Sequence, residues 1–467
     1  MLKPVEKPRV AVLGLTIEIY KDSFPGYMDR LGVQLGKFQG EVEVFADVIS
    51  SRLCYHQGHV AEQVRGAEAS EADALLLIPM SYTASLMTLL PLSRTSLPIV
   101  IWNTQETEEI DETYSFDDLL MNHVPQGTQD VTNVLLRAGR VFGMESGHYR
   151  DTQALGRLDE WLNAARAMEF AKRMRVGLLG QPFQDMGDFG VDETQMAARW
   201  GPYTVHLNTG EWIRILGQVD ETQVSKLVEE DRERFEMADD VTDEIHHISS
   251  RLELTLRQLI REYGLDAFSM NFRELIDDGR FPTMPFLGLN KLLAEGLGYA
   301  GEGNTTMAAH MAQMRQLCGA SNFTEIYTVD YVRNRMVMTH MQECNPALAR
   351  KDRKVRLVKK DSWAPGMGPY VGMHFTLEPG PVTLTNITTD QQGRFFYIAY
   401  ETSILDMAPF PKFDIPHWVV ELDEPVGEFL TRYSMAGGTH HLAAVPGHQA
   451  DRLRKLAHLQ RFGSVTI

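Results

Sequence analysis

The sequence has few cysteines, no long hydrophobic run and a deficit of positive charge. Its 467 residues include only three cysteines, Cys54, Cys318 and Cys344, and none belongs to a CxxC pair. This spacing argues against a disulfide framework and a cysteine-rich metal cluster, and favours a reduced, cytoplasmic location. The longest apolar runs have strand length, short of the roughly 18 to 20 residues that a membrane span needs, and the N-terminus lacks a signal-peptide pattern. We therefore expect no membrane association.

The charge balance is acidic, with 45 Lys and Arg residues against 63 Asp and Glu residues and a net charge of -18. Because phosphate contacts need clustered basic side chains, we expect no nucleic-acid partner. The segment GMGPYVG at Gly366 follows no predicted strand and lacks the glycine spacing of a dinucleotide-binding loop, so no nucleotide cofactor is expected either. An acidic chain suits an enzyme that acts on a small neutral molecule.

Apolar patterning predicts three domains, since the chain is too long for one compact core. In the first third, strand-like runs begin at Arg9, Glu41, Ala72, Leu97 and Arg140, with helix-compatible segments between them. Continuous apolar strands separated by helices are typical of a parallel sheet covered on both faces. We predict one such α/β domain over residues 1–174 and a second over residues 175–320.

The pattern changes near residue 321, where short strands alternate with turn residues. This alternation is typical of antiparallel β structure in a barrel or sandwich. The predicted fold is therefore two doubly wound parallel α/β domains followed by a β-rich, barrel-like C-terminal domain over residues 321–467.

One acidic residue stands between two glycines in the stretch GEGNTTMAAHM, which begins at Gly301. Glycine permits unusual backbone angles and leaves room beside it, so Glu302 is suited to approach a metal ion or a substrate closely. The same residue also fits an ordinary role at the start of a helix, where an acid offsets the helix dipole. The stretch alone leaves both interpretations open.

Further carboxylate and imidazole groups follow in the β-rich region: Glu325, His340, and the pair His440 and His441 behind two glycines. Two carboxylates with one or two imidazoles suit a divalent cation of the manganese type, which accepts oxygen and imidazole nitrogen ligands. These residues share no short ligand motif, and most Glu and His residues are structural or solvated. A core histidine in a strand and an ordinary turn are the structural alternatives for His340 and for the His pair.

Several of these segments, taken in order, resemble signature segments of the L-arabinose isomerase family. They are AGEGN before an Ala-rich helix, FTEIYT, THMQECNP and GGTHH, together with FSMNFREL and ESGHYRD. The resemblance covers most of the chain and implies the same three-domain fold. It also implies a homo-oligomer, a trimer or a hexamer, and a small sugar as the substrate.

The resemblance further implies one Mn²⁺ ion, with Co²⁺, Fe²⁺ and Mg²⁺ as alternatives, held by Glu302, Glu325, His340 and His441. Glu302 and Glu325 would be the acid and base of an aldose–ketose isomerisation that runs through an enediol. His440 would lie beside the metal and hold substrate oxygens. The implied reaction interconverts a sugar of the L-arabinose and L-ribulose type.

The N-terminal sugar-contacting segments depart from the family pattern. The family's loop after the first strand carries a Gln–His pair, but here the segment is GLTIEIYKDSFPG and offers Glu18 instead. In MNHVPQGTQD, His123 and Gln126 stand where the family has a glutamine and a histidine. Glu18, His123 and Gln126 are the predicted substrate contacts of this domain, and Phe272 is predicted to pack on the carbon face of the sugar, with core packing as its alternative.

These departures leave other functions open. The chain could be an isomerase or epimerase for a different sugar, or a sugar- or metal-binding homologue without turnover. A metal-dependent hydrolase or lyase would use the same side-chain types. The paired acids Glu302 and Glu325 favour catalysis, because binding alone needs no pair of proton-transfer groups.

Overall fold

A computed structural model describes residues 5–467, and it divides them into two compact units. The N-terminal unit comprises residues 6–169 and 454–461. The C-terminal unit comprises residues 170–453 and 462–467. The division into three domains at residues 174 and 320 stays a prediction. No helix within the described residues is both long and apolar enough to cross a membrane.

The N-terminal unit is built around a five-stranded parallel sheet in the order β2-β1-β3-β4-β5. The strands are β1 Arg9–Leu15, β2 Asp47–Cys54, β3 Ala74–Pro79, β4 Ile99–Asn103 and β5 Gly143–Ser146. The helices are α1 Ile19–Ser23, α2 Tyr27–Val42, α3 Gln57–Ala69, α4 Leu86–Arg94, α5 Phe116–Asn122, α6 Pro125–Arg137 and α7 Thr152–Arg173. This strand order is that of a doubly wound fold, which binds ligands at the carboxyl ends of its strands.

The prediction that a strand begins at Glu41 is wrong for the first residues of that segment. Helix α2 continues to Val42, and β2 starts only at Asp47. Leu31, Leu35, Phe38 and Val42 recur at helical spacing and are all buried. The packing of this apolar helix face therefore outweighs the local strand preference of the valines.

The C-terminal unit begins with a second parallel sheet, in the order β10-β9-β6-β7. Its strands are β6 Arg175–Leu179, β7 Tyr203–Leu207, β9 Ala267–Met270 and β10 Gly298–Gly301, while the short strand β8 Glu236–Met237 joins another sheet. The helices are α8 Glu193–Gln195, α9 Thr209–Leu216, α10 Glu221–Arg234, α11 Asp243–Tyr263, α12 Phe272–Asp278, α13 Phe286–Glu295 and α14 Thr305–Cys318, with a π-helical turn at Met196–Trp200. Glu302 directly follows β10, and Phe272 stands two residues after the end of β9.

The same unit contains a seven-stranded sheet in the order β15-β18-β11-β12-β17-β16-β19, and β15 also pairs with β16, which closes it like a barrel. These strands are β11 Asn322–Asp330, β12 Arg335–Thr339, β15 Gly380–Thr389, β16 Phe395–Ile404, β17 His417–Glu421, β18 His441–Pro446 and β19 Gly463–Thr466. Strands β13 Arg356–Lys360 and β14 Tyr370–His374 form a smaller sheet with β8. Helix α15 spans Val426–Met435, and a 3₁₀ turn spans Pro346–Leu348. Helix α16 spans Ala450–Gln460, and its residues from 454 onward belong to the N-terminal unit.

The predicted fold class is confirmed. Parallel α/β sheets precede a closed, mainly antiparallel sheet. The barrel core is apolar, with buried Met336, Met338, Val420 and Leu442 on neighbouring strands. Because side chains alternate along each strand, the same pleat that buries these residues directs others to the opposite face.

Candidate metal centre and active site

Strand pairing in the barrel brings four of the predicted site residues together. Strand β11 lies between β12 and β18, and Glu325 is opposite Thr339 on one side and His441 on the other. His340 directly follows Thr339, and His440 directly precedes β18. Antiparallel partners point their side chains to the same face, so residues far apart in sequence become neighbours here.

Glu302 reaches this cluster from the turn between β10 and α14, and its backbone is left-handed with φ 63°. Its glycine neighbours are needed for steric reasons. A Cβ on Gly301 would lie 3.1 Å from Cε1 of His340. A Cβ on Gly303, whose φ is +80°, would lie 2.6 Å from Cα of Pro182. The glycines thus allow a tight turn that approaches both the histidine and the loop after β6.

We expect Gly303→Ala to disrupt the site. The methyl group would both clash with the backbone at Pro182 and require an unfavourable positive φ, and strain of this kind costs of order 1–3 kcal/mol. Turnover should fall together with the melting temperature. Gly319→Ala is the matched control, since Gly319 also has positive φ, +86°, but has open space around its Cβ position. Equal losses in the two variants would show that backbone angle alone, without the close approach to Pro182, explains the effect.

Glu302, Glu325, His440 and His441 offer ligand atoms that all lie within 4.8 Å of one another. Nε2 of His441 lies 3.3 Å from Oε2 of Glu302 and 3.2 Å from Oε1 of Glu325. Nε2 of His440 lies 3.5 and 3.7 Å from the same two oxygens. The group is part-buried, with His441 fully buried and His440 the most exposed member.

His340 lies at the edge of this group, with Nε2 at 3.4 Å from Oε1 of Glu325. Its other ring nitrogen, Nδ1, forms a hydrogen bond with Glu343, whose second oxygen accepts from the hydroxyl of Tyr299. The ligand set implied by the family resemblance has His340 where the compact four-residue group has His440. Which of these imidazoles bind a metal stays a prediction.

Glu343 is a buried acid that the sequence analysis missed. A carboxylate on Nδ1 orients an imidazole and leaves Nε2 free for a metal or a substrate. The one feature of the sequence that could have indicated this pair is its spacing, because Glu343 stands three residues after His340. That spacing alone did not show that the chain turns back on itself there.

Buried amides hold the turn that carries His340 and Glu343. Asn290 donates from Nδ2 to the carbonyl of Gln342 (2.6 Å) and accepts from the backbone N–H of Cys344 (2.9 Å). Asn322 accepts from the N–H of Asn345 (2.7 Å). Gln342 itself has φ 95°, an uncommon angle that the surrounding hydrogen bonds maintain.

Charge pairing dominates the electrostatics of the cluster. Burial favours neutral carboxyls, but the nearby imidazoles of His440 and His441 keep the pKa of Glu302 well below its usual range. For Glu325 burial is likewise outweighed, by His340 and His441, and its pKa is lowered to about 2. Burial would lower the pKa of His340, yet Glu343 and Glu325 raise it to about 10. The pKa of His440 rises to about 9, chiefly through its hydrogen bond to Glu302.

These shifts predict opposite pH dependences for stability and for metal affinity. The raised pKa values of His340 and His440 stabilise the metal-free fold fully below pH 6.5, and this contribution is lost as the pH rises through about 9 to 10. The lowered pKa of Glu325 contributes above about pH 4.5 and is lost as the pH falls through about 2. A dication needs neutral imidazoles, so its affinity should rise with pH and its binding should release protons.

Melting curves in chelator and calorimetric Mn²⁺ titrations in buffers of different ionisation enthalpy, at pH 6.5, 8 and 9.5, would check both trends. These approximate pH points begin below both raised pKa values and end above that of His440. His440→Gln, which cannot titrate, should release fewer protons. An Mn²⁺ affinity that falls with rising pH would contradict the expectation.

The donor set fits a dication. Nε2 of His441 is a buried polar atom without a hydrogen-bond partner, although it faces two carboxylates at 3.2 and 3.3 Å. A bound cation would satisfy this nitrogen and both acids together. Oxygen and imidazole donors without thiolate suit Mn²⁺, Co²⁺, Fe²⁺ or Mg²⁺ better than a soft metal.

An open cleft of about 750 Å³ adjoins the cluster. Its polar end includes Glu302, Glu325 and His340, and its apolar wall includes Phe272, Phe286 and Trp363. The ring of Trp363 packs edge-on against Phe272, with centroids 5.0 Å apart. No lysine or arginine lines this cleft in the part of the chain that the structure describes. The cleft therefore suits a neutral ligand with one polar and one less polar side.

The remaining predicted contacts lie in the N-terminal unit. Glu18 is exposed immediately before α1, and Gln126 is exposed in the first turn of α6. His123 follows α5, and its Nε2 is 3.0 Å from the hydroxyl of Tyr20. In the same unit, Thr16 and Ser81 share a 2.6 Å hydrogen bond just beyond the ends of β1 and β3. A substrate-binding role for Glu18, His123 and Gln126 stays a prediction.

Comparison with known proteins matches two regions that include this site. The family model of the L-arabinose isomerase central domain matches residues 186–320, and that of the L-arabinose isomerase C-terminal domain matches residues 320–462. The chain is also similar to the L-arabinose isomerase of Nocardioides sp., with 24% identity over 73% of this chain and 70% of that protein. The L-arabinose isomerase of Yersinia pseudotuberculosis is 23% identical over 79% of this chain and 75% of that protein.

A solved structure of a periplasmic solute-binding protein from Actinobacillus succinogenes with bound D-allose is 12% identical. It covers 67% of this chain and 92% of that one, at a TM-score of 0.18. A score this low carries no argument about the fold or the ligand.

Proposed function

Because this chain belongs to the L-arabinose isomerase family, and with it to the aldose–ketose isomerases, we propose that it interconverts a small neutral aldose with its ketose by a metal-dependent route. The observation that carries the proposal is the convergence of Glu302, Glu325 and the His440–His441 pair within 4.8 Å. The substrate that we propose is L-arabinose or a close relative, and the family relationship supports it.

The metal would be held by Glu302, Glu325 and the imidazoles around them, with Mn²⁺ as the first candidate. A dication at this position would supply Lewis acidity toward the sugar oxygens. The chain's own groups then have to move the protons.

We assign the proton transfers to Glu302 and Glu325. In the aldose-to-ketose direction, one carboxylate takes the proton from C2 and returns it to C1, while the other passes a proton between O2 and O1 through an enediol. Both acids have lowered pKa values and are ionised at neutral pH, so either can start as the base. Their proximity makes the two titrations interdependent, which helps one to accept a proton while its neighbour keeps its charge.

The cleft supports a neutral sugar. Phe272 and Trp363 provide flat apolar surface for the carbon face, and the acids and imidazoles provide partners for hydroxyl groups. His440 is proposed to hold a substrate oxygen. Glu18, His123 and Gln126 are proposed to contact hydroxyl groups of a substrate. A trimer or hexamer in the cytoplasm is the proposed state of the protein.

A sugar screen by NMR tests the proposal. The purified protein is incubated with a panel of aldoses and ketoses in Mn²⁺, and in parallel with a chelator, and the anomeric and ketose signals are followed. We expect an aldose–ketose mixture in Mn²⁺ only. Epimers would redirect the proposal to an epimerase, cleavage products would indicate a hydrolase or lyase, and binding without turnover across the panel would contradict catalysis. Light scattering after gel filtration would test the oligomer.

A further inference from the structure

The loop after β6, residues 180–190, holds several parts of the site at once. The N–H of Phe183 donates to the carbonyl of Glu302 at 2.9 Å. The ring of Phe189 lies parallel to that of His441, with centroids 5.4 Å apart and an interplanar angle of 8°. Between these two contacts the loop carries an acid, Asp188, which contacts the site through His440.

Asp188 makes two hydrogen bonds to the same histidine. Its Oδ2 accepts from the backbone N–H of His440 at 2.9 Å and from Nδ1 of the same residue at 2.6 Å. A carboxylate oxygen that receives two N–H groups acts as an acceptor only. The proton of this hydrogen bond therefore belongs to Nδ1 of His440.

This assignment decides what the other ring nitrogen can do. With Nδ1 bonded to Asp188, Nε2 is the nitrogen that faces Glu302 and Glu325, at 3.5 and 3.7 Å. It donates to these acids while the ring is charged, and a neutral ring presents its lone pair at the same place. Two hydrogen bonds to one oxygen restrict both the backbone and the ring, so the ring cannot flip without losing one of them. His440 is only part-buried, and packing alone would hold it weakly.

We propose that Asp188 is a positioning residue that fixes the ring of His440 and keeps a proton on its Nδ1, so that Nε2 is the nitrogen that points into the site. The inference rests on the proposed isomerase function for its kinetic consequence, and on geometry alone for the tautomer. It parallels the Glu343–His340 pair, so that two imidazoles from different segments are each oriented by a carboxylate at Nδ1.

Three variants test the role of Asp188. In Asp188→Ala both hydrogen bonds are lost, and kcat/KM should fall about 10- to 100-fold, as is typical when the partner of a functional imidazole is removed. In Asp188→Asn the amide oxygen can still accept both bonds, so most of the activity should remain. Asp185→Asn removes the same charge from the same loop, at a residue with φ 68° that asparagine tolerates, and should match the unmodified protein.

The second readout does not depend on turnover. The ¹⁵N spectrum of labelled histidine is recorded in metal-free protein at a pH high enough to make the His440 ring neutral, and His440→Gln assigns the signal. The unmodified protein should then show His440 protonated at Nδ1. Asp188→Ala should show a tautomer mixture or a shifted Nε2, with a melting temperature close to that of Asp185→Asn. If no sugar is converted, the proposed function fails, while the nitrogen spectrum still decides the role of Asp188.

An unchanged His440 spectrum in Asp188→Ala would overturn the proposal. So would a full kcat/KM in that variant, or an equal loss in Asp188→Asn and Asp188→Ala. The last result would show that the charge of Asp188, and not its hydrogen bonds, is what matters.

Discussion

Glu302→Gln and Glu325→Gln are each expected to lose about 10²- to 10⁴-fold in turnover, the usual effect of removing a general acid or base. The amide keeps the size of the side chain and one oxygen donor, but it cannot accept a proton at neutral pH. Both acids lie within 4.8 Å of the imidazole pair and have lowered pKa values, so both are charged before the reaction starts. Initial rates at saturating Mn²⁺ and sugar would measure the effect.

Metal loss has to be separated from loss of proton transfer. The Mn²⁺ dissociation constant of each variant should be measured first, and turnover should then be compared with the site filled. Glu421→Gln is a suitable control, because Glu421 lies on the same barrel in strand β17 and forms only an exposed pair with Arg335 at 3.3 Å. Near-normal turnover in either acid variant with metal bound would remove that residue from the proposed chemistry.

Chelation is expected to abolish isomerisation and to lower the melting temperature, and Mn²⁺ should restore both. Without a cation, two carboxylates and the buried Nε2 of His441 are left to neutralise one another. A ligand present at 100 times its dissociation constant stabilises the folded state by about 2.7 kcal/mol. For a chain of this size we expect a shift of several degrees, because about 1 kcal/mol moves the melting temperature by roughly 2–4 °C in domains of 150–250 residues.

The double variant Glu302→Gln/Glu325→Gln provides the matched control for this experiment. Its melting temperature should not respond to Mn²⁺, because both charged oxygen donors are gone. Isomerisation that persists in chelator, together with a melting temperature that Mn²⁺ does not change, would contradict a metal centre at this cluster. A thermal shift that survives in the double variant would place the cation elsewhere.

The sequence was enough to predict the fold class, and its predicted site residues include Glu302, Glu325, His440 and His441, which lie close together in the structure. The roles of these residues stay predictions. A strand of a parallel sheet is buried on both faces and is therefore continuously apolar. A barrel strand is buried on one face, so its apolar and polar residues alternate, and the two kinds of sheet can be distinguished in the sequence. The flanking residues Gly301 and Gly303 single out Glu302 in the sequence. In the structure Glu302 has a left-handed backbone conformation, and the glycines make the tight turn around it possible. The prediction failed at Glu41, where helix packing outweighed a local strand pattern.

The partners of the site side chains could only come from the tertiary structure. Glu343, Asn290 and Asp188 stand in segments that carry no recognisable motif, yet each is hydrogen-bonded to a histidine or to the turn that carries one. The inclusion of His440 in the compact group depends on how the turn before β18 faces Glu302. The local period of apolar residues determines which residues are buried. Strand register and loop packing determine which polar atoms form hydrogen bonds. A local sequence pattern cannot predict these bonds, because they join positions up to 252 residues apart in the chain.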